Sequence, residues 1–239
     1  MPLVAYPRPS VAADIAIFTI ALIPRQAPGN RRMLPLAELR VLLVRRLREP
    51  FGDRWALPGG FLRPGETLDA AARRELDEET QVGGVALHHL ANYSEPERDP
   101  RGWVISSAYC ALVDAQRLPQ PAGASDAAEA RWVPLAEALG VALAFDHRRI
   151  LANAYGWVQR QVLTSLVVRD FLPETFVLAE LHGVLRAIVP DYQEELANFR
   201  RKVLARRIIE PTGHAEPRYS RRPAQLFRFT GEQPRASLF

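Results

Sequence analysis

Three glutamates, Glu75, Glu78 and Glu79, fall at i, i+3 and i+4 within Leu57 to Val82, LPGGFLRPGETLDAAARRELDEETQV, just after a turn rich in Gly and Pro. On a helix they lie within one turn of each other. With Leu68 at zero and about 100° per residue, Ala71, Ala72 and Leu76 fall at roughly 300°, 40° and 80°, which defines the buried side. The three glutamates fall at about 340°, 280° and 20°, so all three share the inward half, whereas Arg73 and Asp77 face water. Carboxylates crowded on a packed side repel each other and lose hydration, so positive charge belongs among them. Arg74 offsets one, and a divalent ion would satisfy the rest. An all-oxygen donor set points to Mg²⁺ or Mn²⁺ rather than zinc, and Mg²⁺ commonly bridges carboxylates to substrate phosphates. The competing reading is a structural salt-bridge cluster without a ligand.

The elements that must hold these residues can be read around them. Thr67 is a suitable N-cap and Asp69 lies in the first turn, where the helix dipole favours it. Pro58-Gly59-Gly60 is a turn that needs glycine freedom. Upstream, Val11 to Ile23 and Leu39 to Arg46 are β-rich, with a Pro, Gly and Arg loop between them. Downstream come strand-like runs at Val85 to Tyr93, Val104 to Val113 and Glu129 to Val133, and Pro134 opens a short helix in its first position. The order is mixed α/β. From Asp146 to Val168, Ile150, Leu151, Ala154, Trp157, Val158 and Leu163 keep helical spacing, which predicts one long helix. After Pro173 the expected order is Phe176 to Leu178 extended, a helix from Ala179 to Ile188, a turn at Pro190-Asp191 and a helix from about Tyr192 to Arg206. An extended pair, Arg207 to Glu210 and Gln225 to Phe229, closes the series. Helix, turn, helix, hairpin is the order of a winged helix-turn-helix. The expected domains are 1–145, a linker helix over 146–170 and a DNA-binding domain over 171–239.

Composition narrows the classes. The chain has 239 residues, 48% hydrophobic and 24% charged, as a globular protein does. Its longest apolar run, Val11 to Ile23, is interrupted by Asp14 and is too short for a membrane span, and it has no basic leader. A single cysteine, Cys110, excludes an internal disulfide and a multi-cysteine zinc site, fits a reducing cytoplasm and belongs in the core. The net charge of +4 is uneven: Leu196 to Arg235 holds ten basic residues and three acids, a surplus of seven. Lys202 is the only lysine, so arginine is simply this chain's basic residue, but that does not explain the clustering. An acidic body with a basic end suits a nucleic-acid contact.

Gly60, Glu66 and Arg74-Glu75-Leu76-Asp77-Glu78-Glu79 resemble the Nudix box, G-x5-E-x7-R-E-U-x-E-E-x-G-U. The resemblance implies an α/β Nudix fold, a mixed sheet sandwiched by helices. It also implies metal binding by Glu75, Glu78 and Glu79 with the Gly60 carbonyl, orientation of a glutamate by Arg74, and support from Glu66. The implied chemistry is attack of water on a pyrophosphate linked to a nucleoside. Gln81 stands where the family has its last glycine, so the left-handed cap should be missing or moved downstream. Asp126 and Glu129 are candidate general bases. Arg98, Arg101 and Trp103 are candidate contacts to the nucleoside diphosphate, with a strand-edge role open for Trp103. The segment Phe145-Asp146-His147-Arg148 could face the same cleft; the alternative is a capping aspartate and an exposed histidine.

In the second helix of the C-terminal module, with Leu196 at zero, Phe199 and Val203 lie near 300° and 340°, and Asn198, Arg201, Lys202 and Ala205 at roughly 140° to 240°. One face packs and the other suits a major groove, though an ordinary exposed face has the same pattern. Thr212 to Pro223 carries Arg218, Tyr219, Arg221 and Arg222, a basic wing suited to backbone or minor-groove contact. Phe171 to Pro173, Phe176 to Leu181, Asn198 to Leu204 and Arg222 to Phe229 resemble the winged helix of the Nudix-related transcriptional regulators of NAD metabolism. That resemblance implies a bacterial repressor, a homodimer on a near-palindromic double-stranded DNA operator, whose Nudix domain binds ADP-ribose or a relative. Three readings follow: a sensor that binds DNA, a pyrophosphatase whose winged module only dimerises, and a protein that does both.

Overall fold

The computed structural model describes residues 6–27, 31–81, 83–118, 127–219 and 222–231. Val82, Asp126 and Arg221 therefore lie outside the described residues, as do 232–239. The chain forms two compact units, one of Met1–Phe18, Val41–Ala111 and Arg117–Tyr155 and one of Thr19–Arg40, Leu112–Gln116 and Gly156–Phe239.

The central strand, β1 (Ser10–Ile23), is buried without a break from Ala12 to Ile20, a pattern that requires cover on both faces. Two residue pairs, Gln26–Ala27 (β2) and Arg31–Arg32 (β3), form a small antiparallel ladder in what reads as a loop. Next come β4 (Leu36–Arg46), β5 (Trp55–Ala56), β6 (Gly59–Phe61), β7 (Leu87–Tyr93), β8 (Val104–Val113) and β9 (Ala127–Pro134). The main sheet runs β5-β4-β1-β8-β7, with β6 also paired to β1 and β9 to β4. The β6 ladder sets Gly59 opposite Asp14 and Gly60 opposite Ala13. A Cβ at Gly59 would lie 2.7 Å from Asp14 Oδ1, so only glycine lets the turn lie this close to β1.

Helix α1 (Leu68–Thr80) begins as expected, with Thr67 Oγ1 accepting from Ala70 N–H at 3.2 Å, and it buries Ala71, Ala72 and Leu76. Its end differs from the expectation. Gln81 itself takes the left-handed conformation, φ 55° and ψ 21°, and its N–H donates to the Asp77 carbonyl at 2.9 Å, so the cap stays where the family pattern has glycine. Pro134 precedes α2 (Leu135–Gly140) as its cap rather than as its first residue. Helix α3 (His147–Thr164) stops short of Val168; Ser165 turns the chain into a 3-10 segment, Leu166–Phe171, and Val162 rather than Leu163 completes the fully buried stripe.

In the second unit, β10 (Phe176–Val177), α4 (Leu178–Ile188), α5 (Leu196–Ala205), β11 (Ile209–Glu216) and β12 (Ala224–Phe229) follow, with a sheet in the order β10-β12-β11. A mixed α/β unit is thus followed by two helices and a three-stranded sheet, the element order expected of a winged helix. Phe176, Leu181, Leu185, Phe199, Val203 and Phe227 are buried and form the winged module's core. Helix α5 starts four residues later than read, because Tyr192 and Glu194 hydrogen-bond to each other in the preceding turn, and Leu196 is exposed. Among the described residues no helix is long and apolar enough to cross a membrane, and Cys110 is buried.

Candidate functional site

Glu75 and Glu79 lie on the packed side of α1, but Glu78 does not, with 49% of its side chain exposed. It sits at the rim of the buried stripe, and Arg63 and Arg74, each 3.7 Å away, draw it outward. Arg74 organises the rest: its Nε donates to Glu66 Oε1 at 2.9 Å, Nη2 to Glu66 Oε2 at 3.3 Å, and Nη1 to Glu75 Oε1. The bond from Arg74 holds the Glu66 carboxyl below its usual range, whereas burial pushes Glu75 up. Glu79 has no such partner. Burial first, then repulsion by Glu75 and Glu78, pushes its carboxyl up to about 7, and its buried Oε2 has no hydrogen-bond partner among the described residues. Gly60 faces Glu75 so closely that an added Cβ would run into Oε1.

As placed, no three His, Cys, Asp or Glu side chains among the described residues form a group that could hold a metal ion. The donor chemistry still fits a divalent cation at Glu75 and Glu79, because the orphaned Glu79 oxygen and the repulsion from Glu75 are what such an ion relieves.

These glutamates line a cleft of about 410 Å³. It shares Arg46, Gly60, Phe61 and Arg101 with an adjoining recess of about 150 Å³. Arg98, expected to meet the ligand, lines this recess, but its fork is filled. With 4% of the side chain exposed, it donates to Asp146 Oδ1 at 2.7 Å and to Asp14 Oδ2 at 3.3 Å. Asp146 stands just before α3, its carbonyl accepting from Ile150 N–H at 3.2 Å, while its side chain is bound to Arg98 and to Arg149. His147 is buried, not exposed: its Nδ1 accepts from Leu57 N–H at 2.9 Å, and burial lowers its pKa. The neutral ring therefore carries its proton on Nε2, 3.6 Å from Asp14 Oδ1. This floor fixes the backbone that leads into Pro58-Gly59-Gly60.

Arg101 is tied to Asp99, with Nη2 at 2.6 Å from Oδ2, and its guanidinium centre lies 4.9 Å from the Phe61 ring centroid and 5.2 Å from that of Phe145. Trp103 is half exposed and lines neither opening; its carbonyl accepts from Ser10 N–H. Glu129 lines neither and pairs with Arg131 at 3.2 Å. One cleft residue escaped the sequence reading. Arg46 lies 4.7 Å over the Phe145 ring, donates to the Pro50 and Arg48 carbonyls, and has no carboxylate partner among the described residues; burial and Arg101 lower its pKa. Phe145, held at φ 53°, supplies the aromatic wall. It opens the segment 145–148 that the sequence sets toward this cleft, and of that segment Phe145 and His147 line the recess.

In the second unit, Asn198, Arg201 and Lys202 are exposed on α5 as expected. Arg201 Nη2 donates to Asn198 Oδ1 at 3.1 Å, and Lys202 pairs with Glu194 at 2.5 Å. Arg200 is exposed without an ion-pair partner among the described residues and was not among the expected contacts. Arg222 is exposed. Arg218 departs from its expected role on an open wing: it is mostly covered and bonded to Glu180 at 2.8 Å, because a buried carboxylate draws it inward.

Residues 30–154 match the NUDIX domain and residues 168–229 match the NrtR DNA-binding winged helix domain. Over 226 residues, 94% of this chain and 83% of the relative, the chain is 32% identical to the ADPR responsive transcriptional repressor NtrR of Acinetobacter baylyi. The chain belongs to the NrtR family of Nudix proteins. Like this chain in fold is Shewanella oneidensis NrtR complexed with a 27mer DNA, with a TM-score of 0.77 and 30% identity over 96% of this chain and 99% of that one. The NUDIX domain of the same NrtR complexed with ADP ribose gives a TM-score of 0.53 and 29% identity over 66% of this chain and 94% of that one. For an NrtR-family chain, the acid-lined cleft and the basic helix α5 are then the two surfaces of interest.

Proposed function

We propose that this chain is a DNA-binding transcriptional repressor whose Nudix cleft senses ADP-ribose or a related nucleoside diphosphate, and that residues 1–145, 146–170 and 171–239 divide that labour as sensor, linker helix and DNA-binding domain. The observation that carries the reading is the pair of leftover charges in one cleft: Glu79 with an orphaned oxygen and Arg46 without a carboxylate. A diphosphate with its divalent cation complements both. Glu75 and Glu79, with Glu78 and the Gly60 carbonyl, would hold Mg²⁺ or Mn²⁺, and Glu66 and Arg74 position Glu75. When bound, the ion would supply charge neutralisation at the phosphates. Arg46 and Arg101, backed by Phe61 and Phe145, meet the anionic and aromatic parts of the nucleotide. Arg98 shapes the recess through Asp14 and Asp146 rather than by touching ligand.

Asn198, Arg200, Arg201 and Lys202 face DNA from α5, with Arg222 on the wing. A homodimer on a two-fold operator suits a single winged module per chain, and a DNA-binding role places the protein in the bacterial cytoplasm. The intact carboxylates Glu75, Glu78 and Glu79 favour a second reading beside the first, in which the cleft also hydrolyses ADP-ribose. The test is a gel shift on the DNA upstream of the protein's own gene, with and without ADP-ribose, in Mg²⁺, with product followed in parallel. The expected result is a shift that ADP-ribose reverses. A shift that ADP-ribose leaves intact removes the sensor role, no shift removes the repressor role, and product formation that Glu79→Gln abolishes adds the hydrolase.

A further inference from the structure

Glu180, in the first turn of α4, is 7% exposed and carries a dense set of polar contacts. Its Oε2 accepts from Val177 N–H at 2.9 Å, which satisfies a backbone donor at the helix start. Arg218 Nη1 reaches both carboxylate oxygens, at 2.8 and 3.0 Å, and Tyr219 Oη donates to Oε1 at 2.5 Å. Arg218 also donates through Nη2 to the Thr175 carbonyl at 3.4 Å and lies 3.5 Å from Glu216 at the end of β11. Arg218 and Tyr219 belong to the connection between β11 and β12, the wing, and they are bound to a carboxylate 38 and 39 residues earlier in the chain.

A buried ion pair with its remaining hydrogen bonds filled adds little net stability, but removing one partner leaves a buried charge exposed to its full desolvation cost. Such a contact therefore fixes geometry. It also engages Arg218, so that the inward-held guanidinium is not offered to a phosphate.

We propose that Glu180 is a positioning residue for DNA binding. It clasps the wing to the start of α4 through Arg218 and Tyr219, and Arg218 acts inward on Glu180 instead of outward on DNA. The proposal rests on the DNA-binding reading above and assigns roles within it. A direct phosphate contact and a clasp predict opposite signs for one substitution. If Arg218 gripped phosphate, Glu180→Gln would release a competing carboxylate and tighten binding. If Arg218 is a clasp, Glu180→Gln loosens the wing and weakens binding.

The experiment measures affinity of the full chain for its upstream DNA by fluorescence anisotropy over a series of salt concentrations. Glu180→Gln and Arg218→Ala are expected to weaken binding on the order of tenfold at each salt concentration, with the slope of log K against log salt unchanged. Arg200→Ala, the comparator, should lower that slope by about one. Tighter binding by Glu180→Gln, or a slope lowered by about one in Arg218→Ala, overturns the clasp. Should either variant fail to fold by circular dichroism, Tyr219→Phe decides, since it removes a single hydroxyl. Weaker binding at constant slope supports the clasp and unchanged affinity overturns it. No DNA binding by the wild type would overturn the DNA-binding reading and the clasp together, whereas the slope outcomes overturn the clasp alone.

Discussion

The Nudix cleft and the winged module treat charge in the same way but leave different remainders. In the cleft, Arg74 is matched to Glu66 and Glu75, and Arg98 to Asp14 and Asp146; among the described residues what remains includes the Glu79 carboxyl and, lining the same cleft, the Arg46 guanidinium. In the winged module Glu180 takes Arg218 and Glu194 takes Lys202, and what remains on α5 is cationic, Arg200 with the Asn198–Arg201 pair. A remainder of both signs suits a phosphate carried with its cation, and a purely positive remainder suits a phosphate backbone. The lesson is that the charges a protein leaves unpaired say more about its ligand than the charges it contains.

The sharpest way to break this comparison is to remove Arg46, a cleft cation with no carboxylate partner among the described residues. Arg46→Ala should weaken ADP-ribose binding by about 2 kcal/mol, measured by calorimetry, since a charge-assisted contact in a half-buried site is lost; undiminished affinity would end the parallel between the two regions. A smaller effect concerns the lone carboxylate. The Glu79 carboxyl stands at about 7 in the folded protein against an ordinary 4.5, so the folded state holds its proton where the unfolded chain has lost it. Stability present at low pH is therefore lost as pH rises through that window. In chelator, Glu79→Gln should melt a few degrees higher than wild type at pH 8, on the order expected for a domain-sized change of 1–2 kcal/mol, and no higher at pH 4. Added Mg²⁺ should raise the wild-type melting temperature at pH 8 and leave the variant's unchanged. Equal melting of wild type and variant at pH 8 would show that Glu79 is not strained by its neighbours. The smallest effect lies at the end of α1. Gln81→Gly should stabilise by about 1 kcal/mol or less, because the position already holds a left-handed conformation that glycine adopts without cost.

How much of this was legible in the sequence depended on distance along the chain. The start of α1, its buried stripe and the Gly-Pro turn were readable because caps and periodicity are local. The ligand side of the cleft was legible only in part, through Arg101 and Phe145. Arg98 looked like a free cation because its partners, Asp14 and Asp146, are 84 and 48 residues away. His147 looked exposed because its partner, the Leu57 amide, is 90 residues away. Arg218 looked like a wing contact for the same reason. Arg46 was invisible for a further reason: as one of many arginines at a strand end it has no motif, and only the fold sets it over Phe145. The inward placement of Glu78 failed on a local cause, because a wheel assigns halves while two arginines decide the rim.

Both regions meet in one testable claim, that ligand in the cleft and DNA on the winged module are energetically coupled. The direct measurement is the affinity of the full chain for its upstream DNA by anisotropy at zero and saturating ADP-ribose, in chelator so that no ligand is consumed, paired with ADP-ribose affinity by calorimetry with and without that DNA. The account predicts that each ligand weakens the other by the same factor, on the order of 5- to 150-fold. Equal DNA affinity with and without bound ADP-ribose would contradict it.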